Sequence, residues 1–431
     1  MPSRRSHAVL AAVLACATSL PGLDVPDLTV PGTLGIQIKT SDPAEMEQVA
    51  KLGVRIMRRG FYWDTIETQK GVYDFSSYDV VVDKADALGV RLIGCLFANG
   101  KKLYEPSAPH QGRAIQTEAG RQGYAAWAAA CAARYKGRNI YWEIWNEPNV
   151  QTFWRKGTHN SEEFADEYSR LVLAAAPAMR AADPGCFIMA GSVSNYWEPV
   201  YAWTEHCFKR GVLGSGIRAW SVHPYGVKTP EEHAAGGGGG HERMRALMRT
   251  HNNGVELPLI NSERGFSVSK TEEGWSGGSL ERALEFQAWH LVRQYMVDLM
   301  TGVRGTIWYE WGGDQFGLMG KDGKPRPAHR ACETLVARLG GFAYAERIEA
   351  GSPQDYLLAF RHPDGRRMLV AWTAPPPGKA PDAYVEHSVA LPAAAAAATV
   401  TVSVLGVESP LPSEGGTPVL RLSGAPQYVA Y

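Results

Sequence analysis

The sequence lacks a net charge, because its 44 Lys and Arg residues balance its 44 Asp and Glu residues. Binding to nucleic acid or to an anionic membrane surface depends on an excess of positive charge. We therefore expect no nucleic-acid partner. The hydrophobic fraction of 45% and the charged fraction of 20% are typical of a folded globular protein.

Long apolar segments are also missing. The N-terminal apolar run, residues 8–15, is too short to cross a bilayer, which needs about 20 residues. Two arginines precede this run, and Ala17-Thr18-Ser19 follows it as a small-residue cleavage site. The order predicts a secretory signal peptide over residues 1–19, a secreted or periplasmic protein, and no transmembrane span in the mature chain. A lipid anchor at Cys16 is the alternative, because residues 13–16 resemble a bacterial lipoprotein box.

Motifs for metals and cofactors are absent as well. No Gly-x-Gly-x-x-Gly follows the first predicted strand, and the glycine run at 236–240 lacks the Lys-Ser/Thr ending of a phosphate loop. The cysteines beyond residue 19 show no CxxC or Cys/His spacing, which predicts buried thiols, with one bridge between distant cysteines as the alternative. They are Cys95, Cys131, Cys186, Cys207 and Cys332. We expect no cofactor and no metal.

What the sequence does contain is an alternation of short apolar strands with amphipathic helices. The predicted strands are Leu34–Ile38, Val54–Arg58, Val90–Phe97, Ile140–Trp145, Phe187–Ser192, Ala219–Tyr225, Leu257–Glu263 and Gly305–Trp311. Most are apolar throughout, which is typical of parallel strands buried on both faces. Because eight such strands close into a barrel, the pattern predicts the α/β class and a (β/α)8 TIM barrel over residues 30–341. An open doubly wound sheet is the alternative.

The pattern changes near residue 341. Short strands without intervening helices follow, and His362-Pro363-Asp364-Gly365 is typical of a hairpin turn. This indicates an all-β sandwich as an accessory domain over residues 342–431. It contains no cluster of catalytic residue types. We expect a module that stabilises the barrel, with carbohydrate binding as the alternative.

Two glutamates follow strands of the predicted barrel. Glu147 stands in Trp145-Asn146-Glu147-Pro148 after the fourth strand, and Glu263 ends the seventh. Parallel barrels place their chemistry at the C-terminal ends of the strands, so both carboxylates are expected to face each other across the barrel mouth. Paired carboxyl groups are the usual machinery of glycosidic bond cleavage. Glu143, two residues before Trp145, is expected inside the barrel as a paired carboxylate.

A family resemblance rests on these motifs. Ile144 to Pro148, with Ser262-Glu263-Arg264-Gly265, resembles the retaining (β/α)8 glycoside hydrolases of clan A. Residues 58–63 (Arg-Arg-Gly-Phe-Tyr-Trp) and 71–75 (Gly-Val-Tyr-Asp-Phe) make the chain most similar to glycoside hydrolase family 39, in particular to bacterial members associated with exopolysaccharides. The resemblance covers about residues 34–339, with a C-terminal β-sandwich as in that family.

The resemblance implies roles for seven residues. Glu147 would be the acid/base and Glu263 the nucleophile. Asn146 would bind the substrate 2-hydroxyl, and Arg58 would keep Glu263 ionised. Three further residues would support the site: Tyr225 by a hydrogen bond to Glu263, His223 beside it, and Trp308 as the floor of a sugar subsite. Arg264 departs from the family pattern and could favour an acidic or branched sugar.

The predicted function is a retaining O-glycoside hydrolase that cleaves a polysaccharide, endo-acting and involved in exopolysaccharide turnover. The carboxyl groups should then lie about 5–5.5 Å apart. The partner would be the polysaccharide or oligosaccharide substrate, and we expect a monomer. One alternative is an exo-acting glycosidase of the β-xylosidase or α-iduronidase type. The other is a polysaccharide-binding protein without catalytic activity.

Overall fold

The computed structural model describes residues 23–99, 103–106, 111–234, 239–269 and 279–431. Within these ranges eight parallel strands pair in chain order and close into a barrel, with β8 returning to β1. They are β1 Leu34–Gln37, β2 Ile56–Tyr62, β3 Arg91–Phe97, β4 Ile140–Ile144, β5 Phe187–Ser194, β6 Ala219–His223, β7 Leu259–Arg264 and β8 Thr306–Trp308. The prediction of a (β/α)8 barrel is confirmed. The predicted export segment, including Cys16, lies outside the described residues.

Helices surround the barrel: α1 Pro43–Lys51, α2 Trp63–Ile66, α3 Ser76–Ala87, α4 Glu118–Arg134, α5 Glu162–Ala182, α6 Glu198–Lys209, α7 Gly240–His251, α8 Leu280–Met300 and α9 Pro327–Leu339. Their ends follow local chemistry. The Asp42 carboxylate accepts the Ala44 N–H at 2.9 Å at the start of α1, where Pro43 needs no hydrogen-bond partner. Of the helices in the described ranges, none combines the length and apolarity that a membrane crossing requires.

The barrel interior has two layers. The lower layer is apolar and contains Ile56, Ile93, Tyr141, Phe187, Met189, Ala219, Ile260 and Ile307, with the N-terminal Leu23 and Val25 packed against it. Because side chains of a strand alternate between its two faces, residues two positions further along return to the interior. The upper layer is polar: in it Arg58 contacts Gln37 and Glu143, and His223 contacts Ser262. This layer faces the C-terminal rim of the barrel.

The C-terminal region contains two antiparallel sheets. Its strands are β9 Ala343–Ile348, β10 Asp355–Arg361, β11 Arg367–Thr373, β12 His387–Ala390, β13 Val400–Ser403, β14 Glu408–Pro410, β15 Ser413–Glu414, β16 Thr417–Leu422 and β17 Gln427–Ala430. One sheet has the order β14-β13-β17-β11-β10-β9 and the other β12-β16-β15. Leu357, Leu369 and Leu420 belong to the apolar core between them. The predicted all-β C-terminal domain is thus present.

A short connection joins the barrel to the C-terminal strands. Helix α9 ends at Leu339 and β9 begins at Ala343. A buried contact also joins the two regions, because the indole N–H of Trp372 donates to Glu231, which pairs with Arg293 of α8. The division into separate domains at residues 341 and 342 stays a prediction.

Candidate active site

Glu147 lies in the loop after β4 and is not part of that strand. The strand ends at Ile144 rather than at the predicted Trp145, because Trp145 has a φ of 72° and Glu147 a φ of 46°, both in the left-handed region. The Glu147 N–H donates to the carbonyl and the hydroxyl oxygen of Ser192 at 3.1 and 3.2 Å. A contact to β5 therefore fixes the strained turn that carries the carboxylate.

The two glutamates meet at the rim, with His223 between them. One carboxylate oxygen from each glutamate and a ring nitrogen of His223 all lie within 4.8 Å of one another. His223 Nδ1 is 3.0 Å from Glu147 Oε1 and 4.0 Å from Glu263 Oε1, and its Nε2 is 3.1 Å from the Ser262 hydroxyl. His223 is fully buried, so both carboxylates face one fixed imidazole.

Arg58 connects the upper layer to the rim. Its Nε donates to Glu143 at 2.7 Å, its Nη1 to Glu263 at 2.8 Å, and its Nη2 to the Asn146 side-chain oxygen at 2.7 Å. A buried guanidinium with several directed donors holds partners from different elements in one geometry. Arg58 therefore positions Glu263 and Asn146 relative to each other, and Glu143 is the paired interior carboxylate that the sequence predicted.

The pKa values of the buried carboxyls follow from this arrangement. Burial raises the pKa of Glu263, and although His223 and Arg58 lower it, Glu147 and Glu143 raise it further, so that it lies above its ordinary value. Burial also raises the pKa of Glu143, but Arg58 and His223 outweigh burial and the net pKa is lowered. Arg58 thus acts on Glu263 in the predicted direction without bringing its pKa below the usual range.

Tyr225 and Arg264 lie together beside Glu263. The Tyr225 hydroxyl donates to Glu263 Oε1 at 3.4 Å, and the guanidinium of Arg264 lies 4.8 Å from the centre of the Tyr225 ring. Arg264 is 2% exposed and is not among the residues that line the cavity. Arg264 therefore packs on the ring of Tyr225 and does not add a cation to the cavity surface.

Trp308 does not lie where the sequence placed it. Its neighbour Ile307 points into the lower layer, so the side chain of Trp308 points away from the barrel interior. Trp308 is 3% exposed, and its ring lies beside that of His290 in α8. Its indole N–H donates to the Phe316 carbonyl at 3.3 Å. The next residue, Tyr309, lines the cavity instead. Tyr309, rather than Trp308, therefore faces the cavity, and a sugar floor at this strand stays a prediction.

A cavity of about 380 Å³ opens above Arg58, Asn146 and Glu263. Its other lining residues are Gln37, Lys39, Gly60, Tyr62, Cys95, Phe97, Asn99, Arg113, Phe153 and Tyr309. Four of the lining residues were not predicted from the sequence: Lys39, Arg113, Phe153 and Tyr309. Tyr309 could have been found, since it follows a barrel strand just as Glu147 does, whereas Arg113 and Phe153 stand in loops without a recognisable motif.

Lys39 lines the cavity together with Tyr309, the residue that follows β8. Its ammonium group donates to Tyr309 at 3.0 Å and to Glu310 at 2.8 Å. Burial lowers the pKa of Lys39, but the hydrogen bonds to Glu310 and Tyr309 outweigh burial and raise it. Lys39 is therefore a cation whose charge Glu310 already balances.

Glu147, His223 and Glu263 together offer three ligand atoms that could hold a divalent cation. Both glutamates already have a partner in the site, since His223 contacts Glu147 and Arg58 contacts Glu263. The Glu263 carboxylate is thus already paired with the Arg58 guanidinium. The arrangement suits acid/base and nucleophilic chemistry by the carboxylates themselves.

No sequence-family profile matches the chain, and a search of curated proteins likewise finds no match. Solved structures are similar to it. A family 39 glycoside hydrolase from the gut symbiont Bacteroides cellulosilyticus WH2 gives a TM-score of 0.73 at 21% identity, covering 94% of this chain and 81% of that chain. A monomeric β-xylosidase from Caulobacter crescentus CB15 gives 0.62 at 17% identity, over 95% and 97% of the two chains.

A family 30 endoxylanase from Clostridium papyrosolvens C71 is similar as well, with a TM-score of 0.60 at 13% identity over 94% of this chain and 97% of that chain. The structural neighbours thus include family 39 and family 30 glycoside hydrolases, in agreement with the resemblance drawn from the sequence motifs. At these identities the likeness shows the fold.

Proposed function

We propose that the chain is a retaining O-glycoside hydrolase. The observation that carries this proposal is the approach of the carboxylates of Glu147 and Glu263, whose side chains are only 8% and 12% exposed, to within 4.8 Å of each other at the C-terminal rim of a closed barrel. Inverting enzymes keep their carboxyl groups about 6.5–9.5 Å apart to leave room for a water molecule, whereas retaining enzymes keep them about 5–5.5 Å apart. The short separation supports a covalent intermediate.

In the first step Glu147 would donate a proton to the glycosidic oxygen while Glu263 attacks the anomeric carbon. The bond to the leaving sugar breaks, and an ester forms between Glu263 and the remaining sugar. In the second step Glu147 takes a proton from water, the water oxygen attacks the anomeric carbon, and the carboxylate of Glu263 is released. His223 contacts both carboxylates and would hold their relative orientation through both steps.

The roles of the supporting residues follow from their contacts. Arg58 would direct one oxygen of Glu263 by its 2.8 Å hydrogen bond, and Tyr225 the other. Asn146, whose oxygen is held by Arg58, would present its amide N–H₂ to a sugar hydroxyl in the cavity. Such contacts contribute most when they strengthen in the transition state.

The substrate in this proposal is a polysaccharide that is cleaved at internal glycosidic bonds, as in exopolysaccharide turnover. The enzyme would act as an exported monomer. The motif resemblance to exopolysaccharide-associated family members supports this. Incubation with a panel of polysaccharides and mass analysis of the products tests it. A ladder of oligosaccharides is the expected result, whereas release of single sugars alone would identify an exo-acting enzyme.

The catalytic assignment is tested by replacing each glutamate in turn and adding azide. Glu263→Ala is expected to lower kcat about 10⁴-fold or more, because no group remains to form the ester. With an activated aryl glycoside, azide should restore turnover and give a glycosyl azide of inverted configuration. Glu147→Ala plus azide should give the retained configuration, since the ester on Glu263 still forms.

Glu349→Ala is the control, because Glu349 is an exposed carboxylate of the β domain. It should behave like the original chain. Full activity of Glu263→Ala, or the same azide stereochemistry for both variants, would contradict the assignment. Polysaccharide binding without any release of reducing ends would contradict hydrolysis altogether.

A further inference from the structure

The charged residues that line the cavity are unevenly paired. They are Lys39, Arg58, Arg113 and Glu263. Lys39 contacts Glu310, and Arg58 contacts both Glu143 and Glu263. Arg113 differs from both, because its guanidinium has no ion pair and no hydrogen bond with the residues that the structure describes. The positive charge of Arg113 therefore lines the cavity without a carboxylate partner among the described residues.

Arg113 is held in place by its backbone. Its N–H donates to the carbonyl of Trp154 at 2.7 Å, and the preceding Gly112 pairs with Arg155 in an isolated bridge. A Cβ at Gly112 would lie 2.3 Å from the Cα of Arg155, so only glycine allows the two segments to approach this closely. Arg155 is itself buried and bound to Glu167 at 2.9 Å. The loop that carries Arg113 is thus fixed to the segment before α5.

The side chain of Arg113 is fixed by aromatic rings. Its guanidinium carbon lies 5.3 Å from the centre of the Phe97 ring and 5.8 Å from that of Phe153. Cation–π contacts of this kind hold the plane of a guanidinium and leave its N–H groups at the edge free to donate. Because Arg113 lies over these two rings, their faces are less available for stacking on a sugar. A directed donor, rather than an apolar platform, forms this wall of the cavity.

We propose that the subsite beside Arg113 binds a sugar carrying an anionic group, and that the substrate is an acidic glycan such as one containing uronic acid. The inference rests on the proposed function and specifies its substrate class. A guanidinium fork matches the geometry of a carboxylate or sulfate, and its preorganisation lowers the entropy lost on binding. Arg264, the cation that the sequence suggested for this purpose, is buried and outside the cavity lining.

Binding of free sugars tests the inference without requiring turnover. Calorimetry on the unaltered chain with D-glucuronate, D-glucose 6-sulfate and D-glucose is expected to show about 10- to 100-fold tighter binding of an anionic sugar than of glucose. A preference for glucuronate over the sulfate would identify a carboxylate as the natural group, and the reverse a sulfate ester. The preference should weaken as salt is added, because Arg113 is partly exposed.

The matched variants are Arg113→Gln, Arg113→Lys and Arg55→Gln. Arg55 is an exposed arginine directly before β2, at the opposite end of the barrel, so its replacement removes the same net charge far from the cavity. Arg113→Gln should abolish the preference for the anionic sugar and leave the affinity for glucose unchanged. Arg113→Lys should retain part of the preference, and Arg55→Gln all of it. Unfolding midpoints will show whether each variant is folded.

Kinetics can be compared on an acidic polysaccharide that the chain cleaves and on the same polysaccharide after its carboxyl groups are reduced. Arg113→Gln should raise KM for the acidic form alone, with kcat nearly constant. Equal affinity for glucuronate, the sulfate and glucose, no binding of either anionic sugar, or a preference that survives Arg113→Gln would overturn the inference. A chain that binds an anionic sugar through Arg113 but cleaves no polysaccharide would instead contradict the proposed hydrolase activity. The two failures are therefore distinct.

Discussion

The two layers of the barrel interior come from the same strands but have opposite chemistry. On β2, Ile56 lies in the lower layer and Arg58 in the upper layer. On β4, Tyr141 is followed in the same way by Glu143. A shift of two residues along a strand therefore separates an apolar core from a charged site. Fold and chemistry are therefore encoded at successive interior positions of the same strands, β2 and β4.

The layers also differ in what stabilises them. Burial of apolar surface stabilises the lower layer, and apolar contacts do not depend on a specific bonding geometry. Buried charges in the upper layer are costly unless every one has a partner. Arg58 supplies that compensation for Glu143 and Glu263 together, at 2.7 and 2.8 Å. The upper layer is therefore sensitive to the loss of one cation, and the lower layer to the loss of volume.

Replacement of Arg58 by methionine would disturb the upper layer most. Two buried carboxylates would lose their cation, so we expect a loss of unfolding free energy of about 3–5 kcal/mol. We also expect kcat/KM to fall on the order of 10²- to 10³-fold, because Glu263 and Asn146 lose their common donor. Denaturant unfolding and steady-state kinetics measure the two effects.

The double variant Arg58→Met/Glu143→Gln separates these two effects. Removing the charge of Glu143 should restore part of the lost stability, because the remaining buried charge is smaller. Activity should stay low, since Glu263 still lacks its hydrogen bond. A double variant that regains activity would show that Arg58 acts only by stabilising the fold. Arg58→Met with unchanged stability would contradict the account of the upper layer.

Ile307→Ala is the corresponding change in the lower layer. Ile307 is fully buried and lies against Gly35, where an added Cβ would come within 2.4 Å of its Cδ1. The cavity left by truncation is expected to lower the unfolding free energy by about 2–5 kcal/mol. Below the unfolding transition, kcat/KM should stay unchanged, because no residue of the upper layer loses a partner. A strong loss of activity in folded Ile307→Ala would show that the layers are coupled.

Local patterns explain why so much of the barrel could be predicted. Apolar runs of strand length, capping residues such as Asp42 and stops such as Gly53 are local features, and each strand lies close to its predicted position. The positions of Glu147 and Glu263 at the rim followed from the topology of a parallel barrel. These inferences needed no knowledge of distant contacts.

The remaining features depend on contacts between distant segments. The turn at Glu147 is fixed by Ser192 on the neighbouring strand, and Arg113 is fixed by Trp154 and two aromatic rings. The sequence does not reveal which face of a short, uniformly apolar strand is inside, so it did not indicate that Tyr309, rather than Trp308, lines the cavity. The register of β8 against β1 and β7 decides that question.

Asp298 of α8 provides a buried carboxylate for comparison with Glu143. Both side chains are fully buried. Asp298 accepts hydrogen bonds from the neutral groups of Asn261, Thr306 and Gln294, at 2.8, 2.9 and 3.0 Å. Burial raises its pKa to about 7, and these hydrogen bonds and Arg245 only partly oppose that. Among the described residues no Lys or Arg pairs directly with Asp298, so the effect of burial on its pKa is larger than that of the hydrogen bonds.

The pH dependence of stability should reveal this difference. The pKa of Asp298 is higher in the folded chain than in the unfolded chain, where it is about 3.9, so the folded state binds more protons between about pH 4 and pH 7. The stabilising contribution of the protonated acid is complete below that range and is lost as the pH rises through it.

Asp298→Asn does not titrate, and the Gln294 amide, whose oxygen accepts no hydrogen bond from the described residues, can turn to face the new amide. Relative to this variant, the original chain should lose a few kcal/mol of unfolding free energy between pH 4 and pH 8 in denaturant titrations. A constant difference would mean that Asp298 stays ionised, and that a carboxylate in this fold needs no cation to be buried.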